Sequence, residues 1–242
     1  MLLPQAFRII VVQTQTMLKL TLFLSILLMA AGTVHSQTVK APMQVIVTNK
    51  AGTPIPKDKI TFMGKKLGTN IVGITDELGK FIVHLPAGDE YAIKVETIGE
   101  EIDYNTFEVP TPPTGAVFQT VTLEIIYDLP TSVVLEDLYF NSGQYSIQQK
   151  SFESLNKLAE YLIRKGNMTI RIEGYTDSDG NEASNKTLSA NRSKAVKSYL
   201  VKKGVKADSI RTIGHGDSNP IATNDTVEGK AQNRRTEIHI TH

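Results

Sequence analysis

The hydrophobic pattern of this chain changes its period near residue 130, and this change limits the fold more than any other feature. From Met43 to about Tyr127, apolar residues alternate with polar ones or form short runs, and Gly and Pro separate them. After Thr131, two segments with helical spacing lie between strand-like segments. The sequence therefore predicts two domains, 40–128 and 131–242, which is an ordinary division for 242 residues.

The first domain is predicted to be an all-β sandwich. Its strand-like segments are QVIVTN, KITFM, FIVHL, YAIKVETI and VFQTVTLEII. The segment ITDELGKF is interpreted as a hairpin, because Asp76 opens a turn through its side chain and Gly79 closes the turn without steric cost. About five to seven short strands over this length are typical of a small immunoglobulin-like or transthyretin-like sandwich.

The turn segments TDELGKF and LPAGDEYAIKV resemble those of the carboxypeptidase-regulatory-like sandwich, an accessory module of secreted bacterial proteins. The resemblance implies a spacer or docking module without chemistry of its own. It points to no specific activity, because a fold does not fix a function.

The second domain is predicted to alternate strands and helices. VVLEDLYF indicates a strand, and the following helix carries Phe152, Leu155, Ala159 and Leu162 at helical spacing, with Gly166 as its C-terminal cap. MTIRIEG, SIRTIGHG and TEIHIT indicate three more strands, and a second helix spans about 183–203. The order βαβαββ predicts a two-layer α/β sandwich, and the whole chain is assigned to the α+β class.

The N-terminus resembles a secretory leader. Lys19 precedes the apolar run Leu20–Ala31, which is shorter than the roughly 20 residues that a membrane span needs. We expect a signal peptide over 1–36 that is cleaved after Ser36, with 1–16 as an upstream extension. An uncleaved anchor is the alternative.

The composition excludes several functional classes. A net charge of +1 gives no strong field toward nucleic acid or an anionic membrane, so no nucleic-acid partner is expected. The absence of cysteine excludes disulfides, thiolate catalysis and the lipid-acceptor thiol of a lipoprotein. DSDGN departs from a calcium loop because Gly180 falls at position four, and no zinc or serine-hydrolase motif occurs. We expect no catalytic residue, metal or cofactor.

An acid and a base stand close together in the segment that is richest in functional signals. Asp177 lies in a predicted loop, and Arg192 lies on the helix that follows. One carboxylate and one guanidinium in this arrangement can converge on a single small ligand, and a zwitterion fits them. The pattern favours binding over catalysis.

Six motifs carry a family resemblance, and they occur in the order FNSG, LxxLAxxL, IEGYTDSDG, NxxLSxxRxxAV, GxGxxxPxxxN and NRRTEI. The segment 131–242 resembles the OmpA C-terminal-like peptidoglycan-binding domain, which Pal and MotB-type proteins share. The resemblance implies noncovalent capture of the diaminopimelate side chain of the wall peptide. Asp177 would pair with the ammonium, and Arg192 would hold the carboxylate. The other residues that match the family's site are Thr176, Asn185, Leu188, Ser189, Phe140 and Asn141.

The chain departs from the family pattern at three positions. Tyr175 stands where the family most often has His, Asn141 replaces a frequent Asp, and Lys230 replaces the usual Arg. Arg234 and Arg235 are interpreted as structural partners of carboxylates at the sheet edge, with a place in the lining of the pocket as the alternative. We expect His215 and His239 to be surface residues.

Three functional hypotheses follow. The first is a periplasmic protein, associated with the outer membrane, that binds peptidoglycan and tethers the sandwich or its partners to the wall. The second is a component of a larger envelope machine. The third is a wall hydrolase that uses Glu173 and Asp177, which we disfavour because nothing in the sequence indicates a raised carboxyl pKa. The partner of the sandwich and the formation of a homodimer stay open.

Overall fold

A computed structural model of the chain describes residues 8–12, 26–28, 39–98, 100–135, 138–141 and 143–241. The chain divides into two compact units, and the boundary lies between Leu129 and Pro130, apart from Thr97–Glu100, which group with the second unit. Among the described residues, no helix is long and apolar enough to cross a membrane.

The described part of the first unit is built from strands. They are β1 (Arg8–Val12), β2 (Ile26–Leu28), β3 (Lys40–Thr48), β4 (Lys59–Gly64), β5 (Asn70–Ile74), β6 (Lys80–Pro86), β7 (Asp89–Glu96), β8 (Glu101–Val109), β9 (Ala116–Phe118) and β10 (Val121–Ile126). One sheet has the order β1-β10-β3-β6, and a second has the order β5-β4-β7-β8. Strands β2 and β9 form a separate antiparallel pair.

The two four-stranded sheets share one apolar core, which confirms the predicted sandwich. Met43 and Val45 of β3 are fully buried, and so are Phe62 of β4 and Tyr91 of β7 in the other sheet. The rings of Phe62 and Phe107 meet edge to face at 6.2 Å between centroids. Full burial of each such side chain stabilises the fold by about 1.5–3 kcal/mol relative to exposure.

The turn predicted at ITDELGKF is present, but the predicted hairpin is wrong. Asp76 Oδ1 accepts hydrogen bonds from the backbone N–H groups of Leu78 and Lys80, and Gly79 has a φ of 71°. The strands on either side, β5 and β6, belong to different sheets. The turn therefore carries the chain from one sheet to the other. The sequence pattern also gave no signal for β5 and β8 as separate strands.

The predicted leader, 1–36, falls almost entirely outside the described residues. Within it, the structure describes the backbone of β1, which pairs in parallel with β10, and of β2. Cleavage after Ser36 stays a prediction.

The second unit contains four strands and three α-helices in its described part. They are β11 (Ser132–Val134), α1 (Phe152–Lys165), β12 (Thr169–Tyr175), α2 (Glu182–Lys202), β13 (Ile210–Gly216), α3 (Val227–Asn233) and β14 (Thr236–Thr241), with short 3-10 helices at Gln149–Ser151 and Ala207–Ser209. The sheet has the order β11-β14-β12-β13. Strands β12 and β13 are parallel, and β14 runs antiparallel to β12 and β11.

Helices α1 and α2 cover one face of this sheet, which confirms the predicted two-layer α/β fold. Leu155 of α1 and Val196 of α2 pack in one buried cluster with Ile172 of β12 and Ile238 of β14. Helix α1 ends as predicted at Gly166, whose φ of 75° suits a residue without a side chain.

The structure differs from the predicted element order in two places. The first strand is confined to β11, and Phe140 makes only an isolated bridge to Ile147. Helix α3 lies between the last two strands, where no helix was predicted. Its sequence VEGKAQN has no apolar face, and the signal that the pattern missed is Thr226, whose side chain accepts from the N–H of Gly229.

Helix α2 approaches the sheet unusually closely because two strand positions lack a side chain. A Cβ at Gly214 of β13 would lie 2.2 Å from the backbone nitrogen of Ala190, and one at Gly174 of β12 would lie 2.5 Å from the carbonyl oxygen of Ser189. Ser189 Oγ also accepts a hydrogen bond of 2.9 Å from the backbone N–H of Gly216. Small side chains and glycines thus join the N-terminal half of α2 to the sheet.

Replacing Gly214 by alanine should therefore destabilise the protein. The methyl group would meet helix backbone rather than a flexible side chain, and overpacking of this kind costs about 1–3 kcal/mol. Urea unfolding followed by circular dichroism measures the change. Ser198→Ala, at an exposed position of α2, is the control and should change stability by less than about 0.5 kcal/mol. Equal stability of the Gly214→Ala and Ser198→Ala proteins would contradict the close packing.

Candidate functional site

The loop after β12 carries the predicted acid, and its backbone is held at both ends. The N–H of Thr176 donates to the carbonyl of Gly216 over 2.8 Å. Asn185 Nδ2, on the first turn of α2, donates to the backbone carbonyl of Asp177 over 3.4 Å. Asn181 caps α2 by accepting from the N–H of Ser184. These bonds fix the position of Asp177 relative to α2.

The carboxylate of Asp177 is buried and has a cationic partner that the sequence analysis did not assign to it. Asp177 is 8% exposed, and its Oδ2 accepts from Arg234 Nη1 over 2.6 Å. Its Oδ1 accepts from the backbone N–H of Asp179 over 3.2 Å. Arg234 had been interpreted as pairing with a carboxylate at the sheet edge. The carboxylate that it pairs with is the candidate site residue itself.

The guanidinium of Arg192 is also buried, but its partners are backbone carbonyls. Arg192 is 7% exposed, and Nε donates to the carbonyl of Gln144 over 3.0 Å while Nη2 donates to that of Asn141 over 3.4 Å. The guanidinium carbon lies 5.0 Å from the ring centroid of Phe140, within cation–π range. None of the ion pairs among the described residues includes Arg192.

The surroundings of Arg192 lower the pKa of its guanidinium. Burial lowers the pKa of its guanidinium, the positive charge of Arg234 lowers it further, and the negative charge of Asp177 offsets only part of this change. Arg192 keeps its charge at neutral pH, since a guanidinium in a protein is effectively always protonated. The lowered pKa agrees with the contacts of Arg192, whose hydrogen-bond partners among the described residues are neutral carbonyls.

The remaining predicted site residues differ in burial, and Asn185, Asn141 and Phe140 are those that contact this acid or base. Thr176, Asn185 and Ser189 are buried, Leu188 and Phe140 are half-buried, and Asn141 is exposed. Thr176 Oγ1 is buried and has no hydrogen-bond partner among the described residues. Asn141 reaches Arg192 through its backbone carbonyl rather than its side chain, whose amide bonds Gln144 and Gln148. The Asn-for-Asp departure at this position therefore leaves the contact with Arg192 intact.

Sequence reasoning missed one contributor to the site, Gln144, and did not settle the role of a second, Arg234. Gln144 acts through its backbone carbonyl, so no side-chain signal could have identified it. Arg234 lies in the NRR motif, where the arginine pair was a usable signal, but the sequence did not show which carboxylate each arginine would reach. Arg235 is structural as predicted, because its Nε donates to Glu237 Oε1 over 2.6 Å.

Comparison with known proteins places this site inside a known family domain. The model of the OmpA family matches residues 139–234, a range that contains Asp177, Arg192 and Arg234. The C-terminal unit carries an OmpA family domain. This confirms the resemblance drawn from the six motifs, whereas the resemblance of the sandwich to the carboxypeptidase-regulatory-like module stays a prediction.

Two curated relatives are similar to part of this chain. The peptidoglycan-binding protein ArfA of Mycobacterium tuberculosis is 46% identical over 101 residues, which are 42% of this chain and 31% of ArfA. The probable lipoprotein YiaD of Escherichia coli is 40% identical over 116 residues, which are 48% of this chain and 51% of YiaD. The chain thus spans about a third to a half of the length of these relatives.

Among solved structures, the chain is similar to the peptidoglycan-associated lipoprotein of Burkholderia pseudomallei. The sequence identity is 28% and the TM-score is 0.42, and the match covers 46% of this chain and 91% of that protein.

The face of the OmpA family domain's sheet that lies opposite the helices carries an ionic network. Glu173 of β12 pairs through Oε1 with Arg171, while its Oε2 accepts from Tyr175 Oη over 2.7 Å and lies 2.9 Å from His215 Nε2. His239 Nε2 lies 3.6 Å from the same oxygen. The expectation that both histidines are plain surface residues is wrong, because each is half-buried and bonded within this network.

The state of Glu173 disfavours the hydrolase hypothesis. Burial raises the pKa of Glu173, but hydrogen bonds from Tyr175 and Arg171 and the charges of His239 and Arg171 outweigh it, so the net pKa lies below its usual value. A general acid of a glycosidase needs a raised pKa. The other carboxylate of the hypothesis, Asp177, is occupied by an ion pair with Arg234.

Glu173, Glu237 and His239 are the described residues whose ligand atoms converge closely enough to hold a metal ion. Both carboxylates are already paired, Glu173 with Arg171 and Glu237 with Arg235. A divalent cation would have to displace or outweigh two guanidiniums, so the charge balance of this cluster fits a structural network better than a metal centre.

The lowered pKa of Glu173 predicts a contribution to acid stability. A carboxyl group whose pKa is lower in the folded than in the unfolded protein stabilises the fold at a pH above the unfolded-state pKa, which is near 4.3 for Glu. This stabilisation is lost as the pH falls through the folded-state pKa. Glu173→Gln should lower the free energy of unfolding at pH 7 by about 1–3 kcal/mol. It should also flatten the decline in stability between pH 7 and acid.

Urea unfolding over a pH series measures both effects. Glu160→Gln, at an exposed position of α1, is the control and should leave the profile unchanged. An unaltered acid slope in the Glu173→Gln protein would contradict the account of this network.

Proposed function

We propose that the OmpA family domain binds peptidoglycan without covalent chemistry and tethers this chain to the bacterial wall. The observation that carries the proposal is Arg192, a buried cation that has no carboxylate partner among the described residues. Burying an unpaired charge is costly, so an anionic group on a ligand is the partner that this position needs. The name of the relative ArfA, a peptidoglycan-binding protein, supports the choice of ligand.

The donors left on Arg192 fit a carboxylate. A guanidinium has five N–H donors, and carbonyls use two of those on Arg192, which leaves three. The two terminal nitrogens together still offer a pair of parallel N–H groups to one carboxylate. Such charge-assisted, bidentate contacts are stronger and more specific than neutral hydrogen bonds.

Asp177 supplies the complementary acceptor. An ionised carboxylate has about four lone-pair sites, and two contacts occupy Asp177, one from Arg234 and one from the N–H of Asp179. The remaining sites are available to an ammonium group. Diaminopimelate in the wall peptide carries an ammonium and a carboxylate on one carbon, so its free end matches Asp177 and Arg192 together.

The other residues of the proposed site shape its walls. The ring of Phe140 lies beside the guanidinium of Arg192, and the backbone of Asn141 holds it. The proposed site also includes Thr176, Asn185, Leu188 and Ser189, of which Asn185 bonds the Asp177 backbone. We place the protein in the periplasm of a diderm envelope, exported through the predicted leader and close to the outer membrane.

Binding to purified diaminopimelate-containing sacculi tests this proposal. Asp177→Asn and Arg192→Gln should each remove most binding, because the loss of one member of a charge pair leaves its partner unpaired at a cost of about 2–5 kcal/mol. The full-length chain is incubated with sacculi, and the fraction that sediments with them is measured.

Two exposed residues provide matched controls. Asp208→Asn and Arg211→Gln change the same charges away from the site and should bind like the unaltered protein. Undiminished binding by the Asp177→Asn and Arg192→Gln proteins would refute the proposed site. Release of soluble sugar from the sacculi, lost with Glu173→Gln, would instead support a hydrolase.

A second candidate function is a place in a larger envelope assembly, with the wall as the fixed point. Apolar side chains on two edge strands of the sandwich favour it, since Val72 and Ile74 of β5 and Ile82 of β6 are more than half exposed. Exposed apolar groups of this kind are typical of protein contacts. In cells, a Val72→Lys, Ile82→Lys protein should lose a specific cross-linked partner while still binding sacculi. Unchanged cross-linking would favour a simple tether.

A further inference from the structure

We propose that Arg234 forms a second carboxylate subsite, so that the site selects a ligand with one ammonium and two carboxylates. The inference rests on the proposed binding of diaminopimelate by Asp177 and Arg192. It adds a preference for stem peptides that end at diaminopimelate. The preferred ligand is a stem peptide in which diaminopimelate is the last residue and keeps both carboxylates free.

The first reason is that the charges around Asp177 do not balance. Two guanidiniums, those of Arg192 and Arg234, accompany the carboxylate of Asp177, which makes an ion pair with Arg234, while Arg192 has no carboxylate partner among the described residues. One positive charge is therefore unmatched. The neighbouring pair of Lys230 and Asp179, with a 2.7 Å contact, is neutral by itself. The repulsion that Arg234 exerts on the protonated form of Arg192 is consistent with two cations in the same site.

The second reason is that Arg234 uses few of its donors. Its Nη1 donates to Asp177, and its other side-chain N–H groups have no partner within the part of the chain that the structure describes. The side chain is 43% exposed, so these donors are accessible from solvent. A guanidinium that is anchored at one nitrogen loses less entropy when it binds a further anion.

The third reason is that the backbone of Arg234 is held firmly. Asn233, which precedes it, is fully buried and accepts from the N–H groups of Ile221 and Ala222, with contacts of 2.8 and 3.0 Å. Its amide also donates to the carbonyl of Ala222 and to Asn224 Oδ1. The end of α3 is thereby fixed, and Arg234 leaves it toward Asp177.

The chemistry of diaminopimelate turns these features into a selectivity. Its free end supplies the ammonium and the carboxylate that fit Asp177 and Arg192. Its second carboxyl group is attached to the carbon that belongs to the peptide backbone. This group is a free carboxylate only when no residue follows, because otherwise it forms a peptide bond. A zwitterionic end alone leaves the extra positive charge of the site unmatched, whereas a second carboxylate on Arg234 neutralises it.

The test uses two synthetic peptides with the full-length protein. Both are L-alanyl-γ-D-glutamyl-meso-diaminopimelate, one with a free carboxylate at the chain-terminal carbon and one with a carboxamide there. Both keep the zwitterionic end of the side chain. Isothermal titration calorimetry of the unaltered protein should show that the free acid binds roughly tenfold tighter than the amide, as expected for one charge-assisted contact.

Variants at two positions assign the preference. Arg234→Gln should bind both peptides about equally, near the affinity of the unaltered protein for the amide. Arg234→Lys, which keeps the charge, should retain part of the preference. Lys230→Gln is the matched control, because it removes a nearby cation that is already paired with Asp179, and it should keep the full ratio.

The possible failures are distinguishable. A preserved preference in Arg234→Gln, or an equal loss for both peptides, would overturn the second subsite and leave Arg234 as a residue that only positions Asp177. If the unaltered protein binds neither peptide nor sacculi, the proposed function fails and this inference fails with it.

Discussion

The close packing of helix α2 against strands β12 and β13 determines the geometry of the whole site. Where Gly174 and Gly214 lack side chains, the helix backbone lies within contact distance of the strands, and Ser189 closes the gap by accepting from Gly216. Because the helix lies this close to the sheet, Asn185 bonds the loop that carries Asp177. Arg192 lies two turns further along the helix and bonds the carbonyl of Gln144. A larger side chain at either glycine would move both contacts at once.

This packing has an electrostatic consequence. Arg192 is buried with carbonyl oxygens and the face of Phe140 as its partners, and these compensate a positive charge only in part. Asp177 is near enough to affect the pKa of Arg192 but makes its ion pair with Arg234. The OmpA family domain therefore holds a buried cation without a carboxylate partner among the described residues. In the proposed function, an anionic group of the ligand completes the stabilisation of this cation.

The sequence predicted the layers of both units, and of the site residues that it proposed, Asn185 contacts Asp177 while Phe140 and Asn141 contact Arg192. Alternation and helical spacing are read from nearby positions, so the sandwich, α1 and α2 were predicted from short windows. Long-range pairing is not encoded in that way. The turn at Asp76 was predicted correctly, yet it links two sheets instead of forming a hairpin, since the partner of a strand depends on residues far along the chain. The same limit concealed the pairing of Asp177 with Arg234, which are 57 positions apart. The contact of Gln144 was missed for another reason, because its backbone carbonyl has no side-chain signature.

The most direct test of the account is a crystal structure of the protein with the diaminopimelate tripeptide bound. The account predicts the carboxylate of the side-chain end within hydrogen-bond distance of the terminal nitrogens of Arg192, and its ammonium against Asp177, with the carbonyl contacts of Arg192 retained. A ligand bound elsewhere, or an Arg192 that leaves its carbonyl partners without meeting any anion, would contradict the central claim.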